Sequence, residues 1–168
     1  MNDANRDWIV KQHREKLQGR ILEIGSFIVP GQEEISMRKA IESLGYPFVG
    51  IDMRQGPGVD IVADAKNMRS IIADDEIDTI ICLDTLEHVD WPRDLIQELY
   101  RVQKPGGYFF LATVMDFPIH DYPSDYWRFT PQCLKMLLKY AGYEVLGVEG
   151  CGRQDFPGVV RAIGRKNA

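Results

Sequence analysis

The chain has few cysteines and histidines, no cluster of positive charge and no long apolar run. Cys82, Cys133 and Cys151 lie far apart with no Cys-x-x-Cys pair, so neither a disulfide framework nor a thiolate metal site is expected. His13, His88 and His120 are equally scattered and lack a His-x-x-x-His spacing, so no metal site is expected from them. No stretch nears the roughly 20 apolar residues needed to span a bilayer. The net charge of -5, with no basic cluster beyond the dispersed Arg161, Arg165 and Lys166, argues against a nucleic-acid surface. The odd cysteine count and the want of a signal peptide point to a reducing cytoplasm. No repeat, low-complexity tract or linker divides the sequence. Also missing is a Gly-x-Gly-x-x-Gly string, which brings backbone amides against a pyrophosphate.

The 168 residues that are present fit one domain, an amino-terminal helix over 1–18 and a core over 19–168. Trp8, Ile9 and Leu17 among charges predict an exposed amphipathic helix over 5–18, stopped by Gly19. Strands are expected at 20–24, 47–51, 59–62, 77–83 and 108–114, and helices at 32–44, 65–72, 90–103 and 130–141. The run at 77–83 is almost wholly apolar, as in a strand covered on both faces. Asp90 can cap the helix after it, and Pro92 suits that helix's first turn. Two last strands, 143–148 and 159–163, have no helix between them and should pair antiparallel. The alternation predicts an α/β sandwich with a mainly parallel sheet, whose ligands bind beyond the carboxyl ends of the strands.

The residues following each strand are therefore the candidate site. Gly25 lets the chain turn tightly after the first strand, beside Glu23 and Ser26. Asp52, followed by Met53, ends the second strand; its carboxylate can accept from both hydroxyls of a ribose or cap the turn before Gln55. Asp64 with Ala65 after the third strand can meet an adenine or cap a helix, and the two roles are compatible. Leu83, Asp84 and His88 follow the central strand, where the reactive end of a ligand should lie. His88 suits either acid–base work or anchoring of the loop.

These residues together resemble the class I S-adenosylmethionine-dependent methyltransferases, in particular a small branch with Leu-Glu-His-Val after the fourth strand. The resemblance runs from about Arg20 to Gly164 and rests on five segments in order. They are Leu22 to Ser26, Gly50-Ile51-Asp52, Ala63-Asp64-Ala65, Leu86-Glu87-His88-Val89 and Leu99 to Gly107, which holds Lys104-Pro105-Gly106-Gly107. It implies a Rossmann-like sandwich with a mostly parallel seven-stranded sheet ending in an antiparallel hairpin. It implies S-adenosyl-L-methionine as cofactor, with Glu23 and Gly25 near the methionine part, Asp52 on the ribose, Asp64 and Ala65 at adenine, and Asp84 or Leu83 facing the cofactor. One departure stands out: Phe27 occupies the place of a second loop glycine, and the loop is lengthened through Gly31.

The segment 116–130 is long for a connection and rich in aromatics. His120 or Asp121 is expected as the base that takes an acceptor's proton, and Tyr122, Tyr126, Trp127 and Arg128 as a wall for the acceptor. Each also suits a packed lid. The expected activity is methyl transfer to O or N of a small-molecule or glycan-type acceptor, with a homodimer as one way to complete the site. The alternatives are a methyltransferase-fold binding subunit of little or no activity and, ranked lower, an NAD(P)-dependent oxidoreductase.

Overall fold

In the computed structural model, which describes residues 3–120 and 124–167, seven strands form one sheet in the order β3-β2-β1-β4-β5-β7-β6. The strands are β1 (Ile21–Ile24), β2 (Phe48–Asp52), β3 (Ile61–Val62), β4 (Ile77–Leu83), β5 (Gln103–Val114), β6 (Glu144–Gly152) and β7 (Pro157–Arg165). The first five pair in parallel. The last two pair antiparallel, with β7 inserted beside β5. This is the expected sheet, with the final hairpin longer than its apolar residues alone indicate.

Side-chain alternation explains the continuous apolar run of β4. Ile80 and Cys82 enter the core beneath the helices α3 (Pro92–Val102) and α4 (Pro131–Ala141). Ile81 and Leu83 enter a second core on the opposite face, with Met37 and Ile41 of α2 (Met37–Ser43). Phe109 and Phe110 divide in the same way. Helix α4 begins and ends as its sequence dictates. The Thr130 hydroxyl accepts from the Cys133 N–H at 3.1 Å, and Gly142 closes the helix at φ +106°.

Four expectations are corrected. The segment 5–18 is not an exposed amphipathic helix. A short α1 (Asp3–Asp7) runs into a π-helical turn at Trp8–Gln12 and a 3-10 turn at Arg14–Lys16. Trp8, Ile9 and Leu17 are buried in the second core, and Trp8 meets Phe110 edge to face. Their apolar area is better covered by the sheet face than left along one helix. The helix expected over 65–72 is a series of turns, where the Met68 N–H donates to the Glu98 carboxylate at 2.7 Å instead of continuing a helical ladder. The helix expected over 32–44 is split: a 3-10 turn at Glu33–Ile35 precedes α2. Ser36 sits between them in an extended conformation and caps α2 through Lys39 N–H at 3.3 Å. Asp90 accepts from the Trp91 N–H at 2.9 Å, one residue short of the capping geometry expected of it.

Trp8 tests the placement of the amino-terminal segment. At 2% exposure, its replacement by Ala should lower unfolding free energy by about 3–5 kcal/mol in urea titrations. A loss below about 1 kcal/mol would return the segment to the surface.

Candidate functional site

The carboxyl ends of β1, β2 and β4 open into one cavity of about 590 Å³, a volume suited to a small ligand. All ten residues expected to bind cofactor line it: Glu23, Gly25, Ser26, Asp52, Met53, Asp64, Ala65, Leu83, Asp84 and His88. The order of strands explains their meeting. β1 lies between β2 and β4, so the turns after all three share one edge of the sheet.

Gly25 is required at its position twice over. Its φ is +77°, and a Cβ there would lie 2.1 Å from the Thr85 hydroxyl. The loop after β1 is thus pressed onto the loop after β4. Asp84 adopts φ +49°, strained for a residue with a Cβ, at the point where its carboxylate enters the cavity wall. The fully buried Asn5 donates to Asp84 at 3.0 Å and accepts from the Arg161 guanidinium at 2.9 Å, tying the amino-terminal segment to β4 and β7.

Phe27 explains itself in three dimensions. Its ring packs where Gly56 leaves room, since a Cβ at Gly56 would lie 2.3 Å from it. The Ile28 N–H donates to the Pro57 carbonyl at 2.8 Å, so the lengthened loop is zipped to the turn after β2. The Phe27 face carries the Arg54 guanidinium, 4.3 Å from the ring centroid. Arg54 in turn donates through Nε to Asp52 at 3.1 Å, and its backbone N–H reaches the same oxygen at 2.9 Å. The other Asp52 oxygen accepts from the Phe27 N–H at 3.2 Å. Arg54 carries no signal of its own in the sequence, because it lies two positions after a carboxylate that itself reads as a ligand.

Five carboxylates line this single cavity: Glu23, Asp52, Asp64, Asp84 and Glu87. Burial pushes Glu23 up to about 8 and raises Asp84 and Glu87 above the ordinary carboxylate range. Lys66 offsets Asp64 and Asp90 at the outer end. The Ser26 hydroxyl is buried without a hydrogen-bond partner, as is one Glu87 oxygen. Carboxylates and orphaned polar groups in one pocket fit a ligand that is cationic at one end and rich in hydroxyls at the other. S-adenosylmethionine has that distribution, with its ammonium, sulfonium and ribose. Held there, it would have Asp64 and Ala65 for adenine, Asp52 for ribose, and Glu23 with Ser26 for its amino acid end. The residues do not suit a pyrophosphate, for which the loop offers Phe27 and a set of acids.

The loop from 116 to 130 supplies the far end. His120 and Phe117 line the cavity. Asp125 is almost fully buried and held well below the usual carboxylate range by the fork of Arg128, at 2.5 and 2.7 Å. Arg128 also donates to the carbonyls of Phe117 and Pro118 at 3.1 and 2.9 Å. Its guanidinium therefore braces the loop, and with Tyr126 and Trp127 it stands outside the cavity lining. The Trp127 indole donates to the Val89 carbonyl at 3.0 Å. Asp121 and Tyr122 lie outside the described residues. Glu87 stands within Leu86-Glu87-His88-Val89, and an acid between Leu86 and Val89 is the one sequence signal that it is buried.

Glu23 yields a pH test. Its folded-state value, about 8, exceeds the ordinary 4.5, so the folded chain keeps a proton that the unfolded chain releases. Glu23 therefore contributes a fall in stability as pH rises from about 4.5 to 8, by at most about 1.4 kcal/mol per pH unit. Urea titrations across that range should show a shallower slope for Glu23→Gln than for the parent chain. An unchanged slope would assign the pH dependence to Asp84 and Glu87.

Residues 37–111 match the model of a family described as "Methyltransferase domain". A ubiquinone biosynthesis O-methyltransferase of Pseudomonas entomophila is 30% identical over 91 residues, 46% of this chain and 39% of the relative. The enzyme of that name from Pseudomonas putida is 29% identical over 128 residues, 68% of this chain and 52% of the relative. The chain thus spans about two fifths to one half of the length of these curated relatives. Among solved structures, an S-adenosylmethionine-dependent methyltransferase from Archaeoglobus fulgidus superposes with a TM-score of 0.70 at 17% identity, covering 96% of this chain and 94% of that one. The 1,6-didemethyltoxoflavin-N1-methyltransferase of Burkholderia thailandensis, solved with S-adenosylhomocysteine, gives 0.73 at 15% identity, covering 99% and 78%. The matched segment and the shared seven-stranded sheet agree: the chain has the fold of the class I S-adenosylmethionine-dependent methyltransferases and carries a segment similar to a methyltransferase domain.

Proposed function

We propose that this chain transfers a methyl group from S-adenosylmethionine to an oxygen or nitrogen of a small-molecule or glycan-type acceptor. One observation carries the reading. A single cavity runs from Asp64 past Asp52 and Glu23 to His88 and His120, joining an acid-lined nucleoside site to a pair of imidazoles. The names of the curated relatives, O-methyltransferases, favour oxygen.

The cofactor supplies a methyl group on a positively charged sulfur, which leaves as a neutral thioether. The protein's work is then mostly alignment. The loop after β5 closes the acceptor end, braced by Arg128 on Asp125. A hydroxyl acceptor must also lose a proton, and His120 is the side chain on which that depends. Its Nδ1 lies 3.2 Å from both the Pro118 carbonyl and the Asp125 carboxylate. Neither can donate, so Nδ1 carries a proton, and in the neutral imidazole Nε2 is the nitrogen with the lone pair. A panel of phenols, sugars and amines, scored by S-adenosylhomocysteine release, should yield a substrate whose turnover falls about a hundredfold in His120→Ala. Equal turnover in the variant would remove His120 from the reaction.

A second reading, a fold kept for binding rather than catalysis, is favoured by Arg54 on Asp52. Calorimetric titration with S-adenosylhomocysteine separates the two, with NADH and NADPH as controls. Asp52→Ala should weaken binding at least about tenfold, the worth of hydrogen bonds to a charged group. Arg54→Ala should tighten it by up to about fivefold, since a partly exposed ion pair contributes at most ~1 kcal/mol. No binding by the parent chain or by Arg54→Ala would put the binding-subunit reading first.

A further inference from the structure

Glu87 is fully buried, yet only half of its carboxylate is satisfied. One oxygen accepts from the Thr113 hydroxyl at 2.7 Å. The other, Oε1, has no hydrogen-bond partner and stands 4.0 Å from His120 Nε2, beyond hydrogen-bond reach. A buried carboxylate oxygen left in this state costs its full desolvation. His88 adds a second imidazole, packed edge to face on His120 at 4.7 Å. The His88 Nδ1 lies 2.7 Å from the Ser124 carbonyl, which only accepts, so that nitrogen carries a proton, and in the neutral ring Nε2 is free to bind a metal. The same argument applies to His120, whose Nδ1 faces two acceptors. Three potential metal-donor groups thus converge at one point of the cavity. One donor atom each from Glu87, His88 and His120 lies within 4.8 Å of the others.

We propose that Glu87, His88 and His120 form a binding site for one first-row divalent transition-metal ion at the acceptor end of the cavity. Donors at about 2.0–2.2 Å from a common tetrahedral ion lie about 3.3–3.6 Å apart, so the three, now within 4.8 Å, would close by up to about 1.5 Å through side-chain rotation. Two imidazoles and one carboxylate select zinc, iron, cobalt or nickel over magnesium or calcium. The surroundings are those that orient metal ligands. Each histidine donates its other nitrogen's proton to an oxygen of the protein, and Thr113 holds the remaining oxygen of Glu87. The sequence spacing of the histidines hides this, because 32 positions separate two residues whose rings touch.

Three protein donors leave coordination positions open toward the cavity. The consequence for catalysis rests on the methyl-transfer reading; the site itself does not. An acceptor hydroxyl oxygen in an open position would release its proton to solvent near neutral pH, as metal-held water does at about pH 7. Its lone pair would then form the new C–O bond as the C–S bond breaks and the sulfur takes that electron pair. His120 would serve as a ligand, and chelation should lower turnover as His120→Ala does.

The test uses the full chain after EDTA treatment, titrated with Co²⁺ by visible d–d absorption and with Zn²⁺ by calorimetry. One equivalent should bind, at least about tenfold more weakly in His120→Ala and His88→Ala, while His13→Ala binds as the parent does. His120 lies in an exposed loop segment, so its variant should fold, whereas Glu87 is fully buried and is not used as a variant; circular dichroism checks each histidine variant. No saturable one-equivalent binding, or binding unchanged in both histidine variants, would overturn the site. S-adenosylhomocysteine is titrated in parallel without metal. Cofactor binding with no metal binding sinks the metal site alone; metal binding with no cofactor binding supports the site and sinks the methyl-transfer reading.

Discussion

Holding carboxylates out of water at one edge of an apolar sheet is the constraint around which this molecule is organised. Glu23, Asp52, Asp84 and Glu87 all stand at or just beyond the ends of adjacent strands, and burial raises three of them. Such crowding disfavours a compact state unless something positive or hydrogen-bonding answers each group. A ligand with an ammonium and a sulfonium is attracted to this cavity by the same field that would repel a pyrophosphate. The electrostatics therefore choose between two nucleoside cofactors that a Rossmann-like sheet accommodates equally well.

The apolar framework makes that arrangement affordable. Strand β4 is covered on both faces, by α3 and α4 on one side and by Met37, Ile41 and the amino-terminal segment on the other. The amino-terminal segment does more than cover. Asn5 reaches across to Asp84 and Arg161, so the same residues that bury Trp8 also fix the strained turn after β4. Stability and site geometry are coupled here, and damage at Trp8 should be felt at Asp84.

What was legible in the sequence follows from local physics. Period-two apolar strands, a capped and glycine-terminated α4, and carboxylates at strand ends each announce themselves within a few residues, and the ten residues expected at the cofactor all line the cavity. What was hidden depends on distance along the chain. The helix expected over 65–72 fails because Met68 is claimed by Glu98, thirty residues away. Trp8 and Ile9 share a pattern with exposed amphipathic helices, and only the open face of the sheet decides their burial. The His88–His120 contact requires the loop after β5 to fold back over β4, which no spacing rule anticipates. Arg128 looked like a ligand because an arginine among aromatics is ambiguous until its partner, the buried Asp125, is in place.

The departure at Phe27 now takes its place in the same scheme. A glycine there would leave the turn after β2 without a ring on which a guanidinium can rest. With Phe27 present, Arg54 is seated beside Asp52 and answers its charge from within the chain. Lys66 answers Asp64, and Asn5 with Arg161 answers Asp84. Each internal partner is a side chain that can yield to a ligand offering equivalent contacts. Glu87 Oε1 differs, since it has no hydrogen-bond partner and stands 4.0 Å from His120 Nε2, with His88 packed on the same ring. A group with three acceptors converging on it is stabilised by a proton or by a cation. A proton satisfies one pair of them, whereas a metal ion satisfies all three at once. The residue that the internal compensation leaves out is therefore the one at which an external cation has the most to gain.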